Sequence, residues 1–396
     1  MSLEITSFKE APLEMIDGDR GKNYPKQDEF TEDGFCLFLN AKNVTDNGFN
    51  FETKMFISQE KDEILKKGKL QRGDVILTTR GTVGNVAFYS EDIHFDNIRI
   101  NSGMLILRSK SELSNKFLYY VLKSDFFKKQ IYTFKSGTAQ PQLPISSLNH
   151  MKFYLPKINI QKKIVTILSN IDIKIKVLEE INKNLLKLSK YLYKEFYMDK
   201  VELYSDKEYV TLDEVTSKFA TGLNPRKNFV LGEGNNYYVT IKNMVNNSIV
   251  LDDKCASITD EALIKINKRS DLKVGDLLFS GIGTIGRVHL IDENPTNWNI
   301  SESVFTMRPN DLVSSEFLFI MLLSQEVQEY AKTLASGSVQ KGIRMRDLKA
   351  FEFVLPKEED KSILDSLLIP IIADIKSNEK ESVKFYRLLS NLIFYT

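Results

Sequence analysis

The stretch Gly281-Ile282-Gly283-Thr284-Ile285-Gly286 has the G-x-G-x-x-G spacing with which a loop cradles a dinucleotide pyrophosphate. That chemistry needs glycines for a tight turn and close phosphate approach, followed by a helix whose N-terminus meets the charge. Here the chain continues as "RVHLI", an extended, β-branched pattern. The expectation is a tight turn between two strands, with Gly283 and Gly286 supplying permissive backbone angles, and no nucleotide. No other chemistry presents itself. His94, His150 and His289 form no H-E-x-x-H or similar cluster, and Cys36 and Cys255 lack metal-ligand spacing. No G-x-x-x-x-G-K-[ST] phosphate loop or G-x-S-x-G elbow is present, and "LNPRK" at Leu223 lacks the second proline and aromatic of an amino-methylating pocket. Asp74 and Asp276 each follow a glycine at a strand entrance, which suits turn or capping duty.

The elements around the glycine stretch occur twice. "GDVILTTRGTVGNVAFY" from Gly73 aligns with "GDLLFSGIGTIGRVHLI" from Gly275 at an offset of 202 residues. Upstream, Lys42-Asn43 falls on Lys242-Asn243 and Pro25-Lys26 on Pro225-Arg226 at offset 200. Downstream, "FLYYVLKSDFF" from Phe117 faces "FLFIMLLSQEV" from Phe317, and "SGTAQPQLPISSLNHMKFYLP" from Ser136 faces "SGSVQKGIRMRDLKAFEFVLP" from Ser336. Collinear blocks in constant order mean duplication of one unit. A duplicated catalyst would show its machinery twice, so binding is the better expectation.

Each unit reads as mixed α/β. "DVILTTR" and "DLLFSG" are strands, "NVAFY" and "RVHLI" their return strands, and "GMLILR" and "SVFTMR" a further pair. Helical spacing follows from Leu113 to Phe126 and again from Phe317 to Leu322. Between Asn159 and Met198 there is no proline or glycine, and Ile164, Leu168, Ile171, Ile175, Leu178, Ile181, Leu185, Leu188, Leu192 and Phe196 advance by threes and fours. That is a coiled-coil seam on a helix of roughly 60 Å, which needs a partner. Leu364, Leu368, Ile371, Ile375, Phe385, Leu389 and Leu392 repeat much of the spacing, with Pro370 placed to kink the second helix. The expected architecture is two like domains, residues 1–156 and 201–356, separated by two long antiparallel coiled-coil-like helices, 157–200 and 357–396, in a pseudo-two-fold arrangement.

Composition permits this and excludes other classes. At 396 residues the chain is long enough for two domains, and 42% hydrophobic with 27% charged residues is ordinary for globular protein. The N-terminus lacks a basic-then-apolar signal, and the apolar window Leu364 to Ile375 is short and carries Asp365 and Asp374. A cytoplasmic protein without a membrane span is expected. A formal net charge of +1 neither supports nor excludes nucleic acid.

Polar residues in the repeated loops fit DNA. Lys42-Asn43 and Lys242-Asn243 each join a phosphate-seeking cation to an amide that can pair with adenine. Lys135, Ser136, Gln140 and Gln142 precede the last strand of the first unit, and Ser338, Gln340, Lys341, Arg344 and Arg346 that of the second. Arg80 stands in the first glycine turn, and Ser280 near the start of the second. Framework positions agree between copies while these loops diverge, as expected of two domains reading different half-sites at a fixed separation.

The combination resembles the DNA specificity subunits of type I restriction-modification systems, through "GDVILTTRGTVG" and "GDLLFSGIGTIG", the two "SG-x-x-Q" segments before "LP", and the two apolar-seamed helices. The resemblance implies two target-recognition domains binding an asymmetric, bipartite sequence in double-stranded DNA, with no catalytic activity and no cofactor in this chain. It implies two partner methyltransferase subunits carrying S-adenosylmethionine and methylating adenine at N6. Motor-nuclease subunits using ATP and Mg2+ join when the complex restricts. Two alternatives stand beside it: a methylation-only complex, and a coiled-coil assembly scaffold that binds no DNA.

Overall fold

The computed structural model describes residues 5–137, 141–245, 247–252, 255–335 and 342–391. The chain divides into two compact units, one of Met1–Lys176 with Ser382–Thr396 and one of Val177–Glu381. The division falls inside both long helices, whereas the sequence reading set its boundaries at their ends.

The first unit is built on a four-stranded antiparallel sheet, ordered Leu13–Asp17, Met104–Ser109, Val75–Thr78, Val86–Phe88. Its central strands "VILT" and "MLILRS" are continuous apolar runs because both faces are covered. Val75, Leu77, Leu105 and Leu107 pack with Phe117, Leu118, Val121 and Leu122 of the helix Asn115–Lys123. Ile76, Met104 and Ile106 point the other way, onto a three-stranded sheet ordered Phe56–Ile57, Cys36–Leu39, Ile98–Ile100, the last pair parallel. A two-stranded pair, Ile5–Ser7 with Lys152–Tyr154, closes the unit.

The second unit repeats this order. Thr216–Thr221, Val304–Pro309, Leu277–Ser280 and Val288–Leu290 form the four-stranded sheet. Ala256–Ile258, Asn236–Val239 and Trp298–Ile300 form the three-stranded one, and Tyr209–Thr211 pairs with Glu352–Val354. Leu277, Phe279 and Met307 face the helix Ser315–Leu322, and Leu278 and Val304 the second sheet. Serine N-caps recur with the helices: Ser114 and Ser124 in one unit, Ser314 and Ser324 in the other.

The first long helix runs Ile158–Tyr193 and continues through a π-helical turn, Lys194–Met198, to Val201. The second, Glu358–Asn391, passes through Pro370 without interruption, held on both sides by buried Leu364, Leu368 and Ile372. Within the second unit the two helices run antiparallel: Asn182 donates to the Ile375 carbonyl and receives from Asn378, and Tyr204 donates to Asp360. Within the first, Ile164, Val165 and Leu389 pack against the core that contains Leu168. Leu168, Ile175 and Leu178 lie on the buried seam, with Ile164, Ile171, Leu185 and Leu192 half-buried. Ile181 and Leu188 do not; both are exposed, and Asn182, Leu186, Ser189, Tyr193 and Tyr197 carry the inward line instead. A 3.6-residue helix drifts from a strict 3.5 repeat, and the steps after Leu178, all of four residues except Leu186 to Ser189, follow that drift. In the second helix Leu364, Leu368 and Ile375 are buried, and Ile372 takes the interior place expected of Ile371. Leu392 lies outside the described residues.

Candidate nucleic-acid interface

The glycine stretch is a turn between antiparallel strands. Leu277, Leu278 and Phe279 pair with Leu290, His289 and Val288, and no helix follows Gly286. Gly283 and Gly286 adopt φ of 81° and 90°, as Gly81 and Gly84 do in the first unit at 74° and 100°. The hydroxyl at the strand end locks the turn. Ser280 Oγ donates to the Thr284 carbonyl at 2.6 Å and accepts from Arg287 N at 2.8 Å. Thr78 does the same with the Thr82 carbonyl and Asn85 N. Ser280 is thus a buried turn residue and leaves the DNA-contacting set.

The Lys-Asn pairs also divide into an outward and an inward member. In the 3-10 turn Ala41–Asn43, Asn43 Oδ1 accepts from Asn40 N at 2.9 Å, while its Nδ2 donates to the carbonyls of Asn50 (3.0 Å) and Thr53 (2.7 Å). Asn243 accepts from Thr240 N and Oγ1, both at 3.0 Å, and donates to Val250 O. Both amides are buried and spent on their own loops, so neither reads adenine. Lys42 and Lys242 stand exposed beside them.

The two loops are tied together by unlike residues at one repeat position. Asn85 Nδ2 donates to Val44 O at 2.9 Å, and Arg287 Nη1 donates to the carbonyls of Ile241 and Met244 at 2.7 and 2.6 Å. A third loop joins them. Ser136 and Gln142 exchange backbone hydrogen bonds at 2.9 Å, Arg80 pairs with Gln142 as an isolated bridge, and Leu143 N donates to Thr79 O. In the second unit Ile282 pairs with Gly342, and Ile343 N donates to Gly281 O at 2.8 Å. The structure therefore gathers Lys42, Arg80, Lys135, Ser136 and Gln142 at one end of the first sheet, all exposed. In the second unit Lys242 and Arg344 are exposed in the corresponding loops, and Arg346 is exposed but paired with Asp347 at 3.2 Å. Gln140, Ser338, Gln340 and Lys341 lie outside the described residues.

Asp74 and Asp276 do more than shape a turn. Each accepts a backbone N–H, from Gln71 and Lys273, and each receives a bidentate guanidinium, from Arg108 and Arg308, at 2.7–2.9 Å. The buried carboxylates hold both guanidiniums above the usual arginine range. This pair was missed from sequence, although Arg108 and Arg308 recur at offset 200. Also missed were Arg20, ion-paired with Asp17 beside Ser102, and Glu302, which accepts from Asn224 and Tyr238 in the second unit. Among the described residues no three His, Cys, Asp or Glu side chains gather to hold a metal. Burial pushes the Cys36 and Cys255 thiols up to about 12 and about 11, against nucleophilic use. No helix among the described residues is long and apolar enough to cross a membrane.

A scaffold made twice in one chain, joining loops whose sequences differ between its copies, is a duplicated module. The model of the type I restriction modification DNA specificity domain matches it twice, over residues 14–187 and 204–384. The chain belongs to that family, and its role is in DNA sequence specificity. It is 25% identical over 377 residues to a protein of Methanocaldococcus jannaschii described as a type I restriction enzyme MjaX specificity subunit, covering 88% of this chain and 84% of that one. The MjaIX specificity subunit of the same organism is 20% identical, with 82% and 77% covered. Among solved structures, the type I restriction-modification S subunit of M. genitalium aligns over 98% of this chain and 94% of its own, with a TM-score of 0.51 and 17% identity. That likeness is one of fold.

Proposed function

We propose that this chain recognises an asymmetric, bipartite sequence in double-stranded DNA, one half-site per unit, and directs adenine-N6 methylation and restriction to it. The observation that carries the reading is the loop cluster itself: one scaffold, built twice with the same strand order, presents Lys42, Arg80, Ser136 and Gln142 in one copy and Lys242, Ile282 and Arg344 in the other. Unlike loops on like frames suit two different half-sites. Arg80 has the fork that pairs with guanine O6 and N7, and Gln142 the amide that pairs with adenine N6 and N7, each such pair worth about 1–3 kcal/mol of discrimination. Lys42 and Lys242 suit phosphates.

The chemistry belongs to partners. Two methyltransferase subunits bring S-adenosylmethionine and flip the target adenine, and motor-nuclease subunits bring ATP and Mg2+. This chain contributes no catalytic step and binds no cofactor, and the complex works in the cytoplasm. The test is a methylation-resolved readout of host genomic DNA with and without the gene. N6-methyladenine is expected to disappear from one bipartite motif and persist elsewhere. Unchanged motifs in a host that demonstrably makes the methyltransferase partner would reject the reading.

A further inference from the structure

The helix Asp125–Phe134 leads directly into the third loop of the first unit. Its inner face is fixed: Phe127 and Ile131 are buried, and Gln130 exchanges two hydrogen bonds with the backbone of Lys152. Ile131 lies against the glycine turn, its Cδ1 3.1 Å from where a Cβ on Gly84 would stand. The outer face therefore has a set position beside the loop cluster. It carries Lys128, Lys129 and Tyr132, followed by Lys135, at i, i+4 and i+7 spacing with Lys129 alongside. Tyr132 is 74% exposed, and the Lys135 ammonium sits 4.4 Å from its ring centre. None of these lysines has an ion-pair partner among the described residues. The helix's single acid, Asp125, sits in its first turn, where it complements the helix dipole.

The duplicate helix, Gln325–Leu334, has the same serine N-cap and buries the same two positions, as Val327 and Ala331, but does not carry this charge. Gln328 replaces Lys128 and is spent on the Gly286 and Leu322 carbonyls. Glu329 replaces Lys129, Lys332 replaces Tyr132, Ala335 replaces Lys135, and Glu326 adds a second acid. From Lys128 to Lys135 the cationic face spans roughly 10 Å, the length of about three phosphates along one strand.

We propose that Lys128, Lys129, Tyr132 and Lys135 form a clamp on the DNA phosphate backbone that the first unit has and the second lacks, so that the two half-sites are gripped unequally. The inference rests on the DNA-recognition reading and extends it from Lys135 of the third loop onto the helix that precedes it. The first unit supplies sequence-independent affinity, and the second depends more on its loop contacts.

The test measures binding of the full chain, alone and with its methyltransferase partner, to a long mixed-sequence duplex across a salt series. Lys128→Gln/Lys129→Gln/Lys135→Gln is expected to weaken binding and reduce the log–log salt slope by about 2–3, at about 0.9 per phosphate contact. The control, Lys9→Gln/Lys110→Gln/Lys116→Gln, removes equal charge from exposed positions at the other end of the same sheet and should change the slope by less than about 1. Equal slopes for the two variants, or an unaltered slope for the first, would overturn the clamp. If the unaltered protein shows no salt-dependent binding even with its partner, the DNA-recognition reading falls, and the clamp with it.

Discussion

The two units share the hydrogen-bonded devices at the base of their loops and differ in much of what the loops present. Asp74–Arg108 and Asp276–Arg308, the hydroxyl locks of Thr78 and Ser280, and the loop braces of Asn43 and Asn243 are the same devices made twice. Outside them the surfaces diverge: Arg80 against Ile282, Ser102 against Glu302, Lys129 against Glu329. A duplicated frame keeps the contacts that hold its loops, with a different side chain at Asn85 and Arg287, and frees the residues the loops present. On the proposed role, the residues that differ are the ones to test for base reading.

The largest effect should come from breaking the shared frame. Arg308→Leu leaves Asp276, with no exposed surface, as an unpaired buried carboxylate, at a cost of about 3–5 kcal/mol. Arg108→Leu should cost the first unit similarly, toward the lower end: each arginine also serves a carbonyl, that of Lys69 at 3.2 Å or of Asp271 at 2.6 Å, but only Arg308 also joins the Asp271 carboxylate in a cluster with Lys218 and Lys273. The chain's single tryptophan, Trp298, lies in the second unit's core, so its fluorescence during denaturant unfolding reports that unit. An Arg308→Leu protein with unchanged Trp298 unfolding would mean that the pair is dispensable.

A subtler contrast lies at Gly281, which replaces Thr79. A Cβ on Gly281 would stand 2.3 Å from Cζ of Phe305, whereas the first unit has Leu105 at the position of Phe305. Thr79 and Leu105 thus exchange together for Gly281 and Phe305, a conserved volume split differently. Gly281→Ala should cost about 1–3 kcal/mol by overpacking, and adding Phe305→Leu should recover part of it. Strictly additive losses by Trp298 unfolding would show that the two positions are not coupled.

Much of this was legible in the sequence. The repeat offsets predicted two units, the runs "DVILTTR" and "GMLILR" and their counterparts predicted strands, and "RVHLI" turned the glycine stretch from a phosphate loop into a turn between strands. What stayed hidden has physical causes. Asn43 and Asn243 recur because their loops need an internal brace, and recurrence alone does not separate a brace from a ligand. Asn85 and Arg287 perform one task with different side chains, so no identity flags them. Ile181 and Leu188 fit a heptad by type, but an α-helix turns past them.

The smallest effect concerns pH and one unit only. His289 in the second unit is buried where the first has Ala87, and its Nδ1 meets the Asn247 carbonyl at 2.7 Å, so that nitrogen carries the proton in the neutral ring. Burial, aided by the nearby Lys376 ammonium, pushes its pKa from 6.5 down to about 3. The unfolded chain therefore binds the proton first, and stability falls as pH drops below about 6.5, with a limiting slope of about 1.4 kcal/mol per pH unit. The neighbouring charges temper this. Burial raises the Glu379 pKa, so the folded state takes up a proton there before the unfolded chain does, a trend of opposite sign. Asp292 acts to keep the imidazolium, while Lys380 is held by Asp292 and Glu293. His289→Gln isolates the histidine from these. Near pH 5.5 the unaltered second unit should have lost about 1 kcal/mol relative to the variant, referenced to neutral pH and followed through Trp298. Parallel pH profiles for the two proteins would mean that His289 reaches water in the native state, and that the units do not differ in this respect.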